Sequence, residues 1–525
     1  MATTPFRLVL LALVAVSQSA CRPSVKPPTS RGAISVGRGN DVIGLDPARV
    51  TDTESAEVTE QIFDHLVRYR PTSTEIEPAL AVSWDTSADG RTWIFHLRDG
   101  VKFHDGTDFD ADAVVFSFER QRDAAHPFHQ ADFTYWDNTY RNIQRVERVD
   151  RLTVRISIER PYAPFLASLA MFPVSIVSPT AVRRWGANFM RHPVGTGPFR
   201  FVEWSEGERV TLIANPDCWD GPPTAQHLVF SVIRDPRQRL VALEGEAINI
   251  AENLSPSDLQ FVSLHPNLGL HRIAGSNVGY LAMNVNHAPF DDVRVRRAVN
   301  YAVNRTAIVR LIYQGLAKEA TTAVPPSMWG HVDEPIYHYD PKMARRLLEE
   351  ADFHQPKVPP KLYTMTSSRP YMPSPDRVAR IIQQNLHDVG IDIEIVKNDI
   401  NAHLEATQRG DHDLCLLGWI ADNGDPDNFL YVLFDQDNAE SGSARNVSFY
   451  RNGQLHGLLV WAQESSDRNE RVKYYQQAQD LIAQEAPWVP LAHAEIVVAA
   501  STQLTNVSVH PSGMMLLSKV GGGSR

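Results

Sequence analysis

Hydrophobic residues fall into two alternating periods along this chain. Trp93, Phe95 and Leu97 alternate with polar residues, which predicts a half-buried strand, and Asp99-Gly100 after it predicts a hairpin turn. Val58, Ile62, Phe63 and Leu66 recur at helical spacing within Glu54–Leu66, after a strand beginning at Ala33 and a turn at Asp46-Pro47. Asp110 to Phe118 opens a helix with carboxylates in its first turn, where they complement the helix dipole. From Asp292 to Gly315, residues Val295, Ala298, Val299 and Ala302 stand at i, i+3, i+4 and i+7, with Gly315 as the stop. Ser374-Pro375 caps and opens another helix whose core face is Val378, Ile381, Ile382, Leu386 and Val389. Gly390 ends it, and Ile391, Ile393 and Ile395 then alternate as a strand. Helix followed by strand, repeated from Arg294 onward, predicts an α/β domain. These apolar stripes are core and carry no chemistry themselves.

One apolar run leads into a different kind of segment. Leu414-Cys415-Leu416-Leu417 feeds Gly418-Trp419-Ile420, then three carboxylates, Asp422, Asp425 and Asp427, broken by Asn423-Gly424 and Asp425-Pro426. Those dipeptides punctuate the backbone as turns. The segment is therefore a loop at the end of a buried strand, where a rigid scaffold places binding residues. Asp422 follows the strand closely enough to be held at depth, and a part-buried carboxylate needs a cationic partner. Turn capping alone is the plainer account of all three aspartates.

At 525 residues the chain allows two to four domains, and 43% hydrophobic and 22% charged residues describe an ordinary globular composition. The net charge of −11 argues against nucleic acid or an anionic membrane surface as the main partner. Arg7, the nine apolar residues Leu8–Val16 and Ser17-Gln18-Ser19-Ala20-Cys21 have the layout of a bacterial export signal, too short to span a bilayer. Cys21 after Ser-Ala resembles a lipoprotein acceptor cysteine, although Gln18 stands where that pattern wants a Leu-like residue, so release as a soluble protein stays open. Residues 22–32 would serve as a tether. Cys218 and Cys415 could pair or remain free thiols. No metal-ligand spacing is evident among the histidines. No G-x-S-x-G, H-E-x-x-H or dinucleotide-binding glycine pattern is present, so the chain reads as a non-enzyme without cofactor or metal.

Four blocks resemble one family in chain order. They are Leu80–Arg120; Pro193-Val194-Gly195-Thr196-Gly197-Pro198-Phe199 with Asn215-Pro216-Asp217-Cys218-Trp219; Gly279–Asn284 through Val295–Ala302; and the aspartate loop with Asn446–Tyr450 and Arg471–Pro487. Together they resemble the extracellular solute-binding proteins of family 5, the peptide and nickel class, nearest to its dipeptide-binding members. The resemblance implies a bilobed α/β fold of the periplasmic-binding-protein type (type II, cluster C) with three domains and a hinge. It places domain I at 33–57, 195–274 and 493–520, domain II at 58–194 and domain III at 275–492. It implies a monomeric periplasmic receptor, attached to the membrane only if Cys21 is lipidated, that captures short peptides and delivers them to an inner-membrane ABC permease. Haem, glutathione or antimicrobial peptides as ligand, or a non-transport chaperone role, are the alternatives.

The resemblance also implies a site. A zwitterionic peptide surrenders water at both ends, so a cleft must supply an anion and a cation. Residues matching Asp422 bind the ligand amino terminus, and an Arg-Pro-Tyr matching Arg369-Pro370-Tyr371 binds its carboxylate; arginine offers a planar fork for that purpose. Main-chain groups of Trp419 and Ile420 would pair the ligand as an added strand. Asp52 and Thr53 match the family's N-terminal contact segment only loosely. Asn277–Tyr280 would border the cleft, and Trp329 fits cleft and core equally well. Dipeptide-binding members carry a disulfide in the region matching 436–449, where this chain has no cysteine, which implies a freer loop and weaker length selection.

Overall fold

The computed structural model describes residues 32–333 and 337–522. The export signal, Cys21 and the tether as far as Arg31 lie outside the described residues. The apolar strand Ala33–Arg38 pairs in parallel with His227–Val232 on one edge and Ile250–Ala251 on the other. The sheet continues antiparallel through Arg209–Ala214 and Phe199–Ser205. Its other end passes through Trp488–Ser501, a strand of 14 residues long enough to serve two lobes. The C-terminal part of that strand pairs with Leu268–Ala274 and Ile250–Ala251, and its N-terminal part with Asn277–Met283. From there the second lobe adds Leu414–Ile420, Lys361–Met365 and Glu394–Asn398. One 12-stranded sheet thus runs through both lobes, with separate cores on either side. A four-stranded antiparallel sheet, with Phe95, Phe118, Trp136 and Val154 in its own core, extends the first lobe. Among the described residues, no helix is long and apolar enough to cross a membrane.

Several boundaries move from where periodicity puts them, each for a local reason. The first helix runs Thr53–Ile62 rather than to Leu66, and Phe63 is already extended. The Ile62 carbonyl accepts from the Gly197 amide at 2.9 Å. That docking explains the Gly195-Thr196-Gly197 motif: a Cβ on Gly195 would lie 2.2 Å from the Ile62 oxygen, and one on Gly197 2.7 Å from it. Strand Thr92–Leu97 makes its hairpin with Ala81–Thr86, so the turn is Ser87–Gly90 rather than Asp99-Gly100. Asp99 instead receives Arg151 at 2.6 Å. The helix expected over Asp292–Gly315 breaks after Val293–Ala302, because Asn304 caps a new turn through the Ala307 amide at 2.9 Å. Helix Pro375–His387 starts as expected, but the Ser374 side chain makes no capping bond. Ile391 and Ile393 are buried ahead of the strand Glu394–Asn398, not within it. Gly521-Gly522 pairs with Leu504–Thr505 near the end of the described residues. Both Cys218 and Cys415 are buried and free.

Replacing Gly195 by alanine forces its Cβ into a backbone carbonyl rather than a yielding side chain. The expected loss is about 1–3 kcal/mol or more, read as a lower urea midpoint with an unchanged slope.

Candidate functional site

A cavity of about 1710 Å³ lies between the lobes, larger than the roughly 300–1,000 Å³ of sites for drug-sized ligands. Its walls include Asp52 and Thr53 from the first helix, Tyr69, Tyr135 and Phe172 beside the four-stranded sheet, and Arg369, Ile420 and Asp422 from the second lobe. Five of the seven residues singled out from sequence therefore share one space. Trp419 and Tyr371 do not line it.

Asp422 sits two residues beyond the strand end at Ile420, in backbone that is fixed on both sides. Ala421 donates its amide to the Ser276 carbonyl at 2.8 Å, and the Asp422 amide donates to Asn428 Oδ1 at 2.9 Å. The Tyr135 hydroxyl donates to its carboxylate at 3.2 Å from across the cavity. Among the described residues no lysine or arginine forms an ion pair with it. Burial pushes the Asp422 carboxyl up from the ordinary range, against the charge of Arg445 and hydrogen bonds from Asn428 and Tyr135. Its two neighbours are committed elsewhere. Asp425 is bound by Arg471 at 2.7 Å and by the Tyr475 hydroxyl at 3.2 Å. Asp427 accepts from Gln463 Nε2 at 3.0 Å and from the Tyr162 hydroxyl at 3.2 Å. Burial, then the Asp425 charge, raises the Asp427 carboxyl to about 7. Of three aspartates that look alike in sequence, one is free to take a cation from a ligand.

Arg369 supplies the opposite charge. Its amide and carbonyl exchange hydrogen bonds with Met372 at 3.1 and 2.9 Å, closing a tight turn over Pro370-Tyr371. The guanidinium pairs with no carboxylate among the described residues, and its Nε is buried without an acceptor. Tyr371 is the foot of this turn rather than a wall of the cavity. Its ring lies on Gly418, where a Cβ would come within 2.1 Å of it, and its carbonyl accepts from the Tyr313 hydroxyl at 2.7 Å. Trp419 points into the second-lobe core and donates its indole N–H to Asn428 Oδ1 at 2.8 Å. Its backbone is held in the sheet, because Leu414–Ile420 is paired along its whole length with Asn277–Met283, Trp419 opposite Val278. On the other edge Lys361–Met365 reaches just Leu414 and Cys415, His403 Nε2 meets the Leu416 carbonyl at 2.9 Å and the Tyr371 ring lies on Gly418, which leaves Ile420 as the residue of this strand that lines the cavity. Asn277–Tyr280 is fully buried within the sheet and does not border the cavity. Trp329 packs in the core, with Arg471 over its ring at 5.0 Å.

Asp52 is partly spent as the helix cap, with Oδ1 accepting from the Ser55 amide at 2.8 Å; Oδ2 is buried without a partner. Thr53 follows it, exposed to the cavity. Periodicity could not reveal Tyr135, which reaches Asp422 from 287 residues away. Nor could it reveal that Glu57 and Glu252 share one buried cation, Arg38. The fold also gathers Asp435, Asp437 and His456, whose ligand atoms lie within 4.8 Å of one another. Each already has a protein partner: His456 pairs with Asp435 at 3.0 Å, and Asp437 accepts from Tyr431 at 3.1 Å.

The sequence profile of the bacterial extracellular solute-binding proteins, family 5 Middle, matches residues 75–441. The dipeptide-binding protein of Escherichia coli K12 is 35% identical over 488 residues, 90% of this chain and 91% of that one. Heme-binding protein A of Haemophilus influenzae is also 35% identical, over 86% of this chain and 85% of its own length. Among solved structures, the periplasmic binding protein DppA of Helicobacter pylori in complex with the peptide STSA superposes with a TM-score of 0.80. It is 34% identical and covers 94% of this chain and 98% of that one. The chain belongs to the family 5 extracellular solute-binding proteins, and its bilobed α/β architecture is theirs. The family is one of solute-binding receptors.

The raised Asp427 carboxyl gives a stability signature. A carboxyl whose folded pKa of about 7 exceeds its ordinary value of 3.8 binds its proton more tightly when folded. Its contribution is therefore full below the lower value and is lost as pH rises through the higher one. The parent should lose midpoint stability between those two values, and Asp427→Asn should lack that part of the slope while folding normally, measured by urea melts across the range.

Proposed function

We propose that this family 5 solute-binding protein is a receptor for short peptides, from dipeptides to oligopeptides. The observation that carries the reading is a pair of opposite charges on one cavity wall, the Asp422 carboxylate and the Arg369 guanidinium, neither neutralised by a described protein group. A free peptide brings the complementary pair. Its ammonium meets Asp422 and its carboxylate meets Arg369, each a charge-assisted hydrogen bond in a partly desolvated site. The strand edge at Ile420 supplies backbone groups to an extended ligand, with Asp52 and Thr53 facing it from the first lobe. Backbone pairing is indifferent to side-chain identity, and the volume beyond the anchors leaves room for side chains with their water. Relatives that bind dipeptides and a tetrapeptide support the same reading.

The receptor works in the periplasm as a monomer and delivers its peptide to an inner-membrane ABC permease. Cys21 is the position at which a lipid would hold it there. Its chain divides into the three domains given above, two in the first lobe and one in the second. Closure about the crossings between lobes brings Asp52 and Asp422 to the same ligand. A micromolar complex needs about −8 kcal/mol, within reach of two charged anchors and backbone pairing after the costs of association.

Calorimetry with alanine peptides of two to five residues tests the clamp. The parent should bind free peptides. Asp422→Asn and Arg369→Ala should each weaken binding by about 2 kcal/mol or more, roughly 30-fold. N-acetylation should cost the parent as much as Asp422→Asn does and cost that variant little more; C-terminal amidation should behave the same way with Arg369→Ala. Haem binding with no response to any free peptide would replace this reading.

A further inference from the structure

We propose that Asp422–Asp427 is also the latch between the lobes, so that affinity is set partly by contacts that no ligand touches. The inference rests on the cleft being the binding site. Tyr69, Tyr135 and Tyr162 pack against the core of the four-stranded sheet, whereas the aspartate loop belongs to the second-lobe core. The three tyrosines nevertheless meet the loop at three points along its length. Tyr135 donates to Asp422 at 3.2 Å, the Gly424 amide donates to the Tyr69 hydroxyl at 2.9 Å, and Tyr162 donates to Asp427 at 3.2 Å. Tyr69 gives its own proton to the Ala167 carbonyl at 2.7 Å, which turns its oxygen to receive the loop amide. The Ala163 amide adds a bond to the Gln463 carbonyl at 2.6 Å.

The close-approach point is Gly424. A Cβ there would lie 2.5 Å from Thr74 Cβ and 2.9 Å from the Thr74 carbonyl oxygen, so only glycine lets the two lobes touch. Behind the loop, Asp425–Arg471 and Asp427–Gln463 anchor it to the helices Gly453–Glu464 and Arg468–Glu485. The loop therefore moves with its own lobe as a unit and docks into a socket on the other. Gly424, Asp427 and Tyr162 lie outside the cavity wall. Any effect they have on binding passes through closure.

Gly424→Val places a wedge at the contact, and Tyr162→Phe removes one oxygen without loss of packing. Both should weaken every peptide that binds the parent by the same factor, roughly tenfold or more for the wedge and about fivefold for the single hydrogen bond. The loss should appear in the dissociation rate and leave association unchanged. Spin labels at the exposed Val149 and Gln454 report the distance between the lobes. The parent should hold a short-distance population that Gly424→Val loses, with the melting temperature of the unliganded protein preserved. If no peptide binds the parent, the receptor reading fails, and the label distances measured without ligand still decide the latch. Identical distance distributions in parent and wedge variant, or losses that differ from peptide to peptide, would overturn it.

Discussion

Holding the Asp422 carboxylate half out of water with no cation beside it costs free energy that the surrounding fold must offset. The offset is visible in how tightly the backbone around it is specified. Strand 414–420 is paired to Met283–Asn277 residue by residue, and the next amides are taken by Ser276 and Asn428. Asn428 is the hub, since one side-chain oxygen accepts from both the Asp422 amide and the Trp419 indole. The carboxylate cannot relax towards solvent without breaking those bonds. On the proposed reading, a ligand ammonium meets this carboxylate with little further ordering, which is where preorganised receptors gain affinity.

The three aspartates show how environment sorts identical chemistry. Asp425 is neutralised by Arg471 and stabilises the loop from within. Asp427, beside that charge and away from water, has its carboxyl raised to about 7. Only Asp422 keeps a face to the cavity. The same division separates Arg369 from Arg38: the first has no described carboxylate partner, while the second is wedged between Glu57 and Glu252 inside the first lobe. Buried charges that have partners maintain the fold, and those without partners are the candidates for a ligand site.

Those differences explain what was legible in the sequence. The strand-to-loop transition at Leu417–Asp422 could be read because period and turn chemistry are local properties, and Arg369 followed only from the resemblance of Arg369-Pro370-Tyr371. Core faces such as Val295, Ala298, Val299 and Ala302 could be read for the same local reason. Element ends were misplaced where a distant partner takes the hydrogen bond, as Gly197 does at Ile62. Tyr371 looked like a ligand residue because it follows Arg369, yet its ring is the support that holds the arginine turn on Gly418. Tyr135 and Tyr162 gave no local signal at all, since their partners lie in the other lobe.

The loop over 436–449 bears on the charge near Asp422. Without a disulfide it was expected to be freer, but a single amide clamps it. Asn446 Nδ2 donates to the carbonyls of Phe434, Asp435 and Tyr450 at 3.1, 3.2 and 2.8 Å, and Asn446 is fully buried. Arg451 reaches the Ala439 carbonyl at 2.6 Å, and the amides of Arg445 and Asn446 both return to Asn438 at 3.0 Å. That network fixes the backbone of Arg445, whose charge opposes the effect of burial on the Asp422 carboxyl. Arg445 stands too far off to form an ion pair, so it favours the carboxylate form without occupying the place of a ligand cation. A polar clamp thus does for this loop what a covalent cross-link would do, and it holds the backbone of a residue whose charge favours the Asp422 carboxylate.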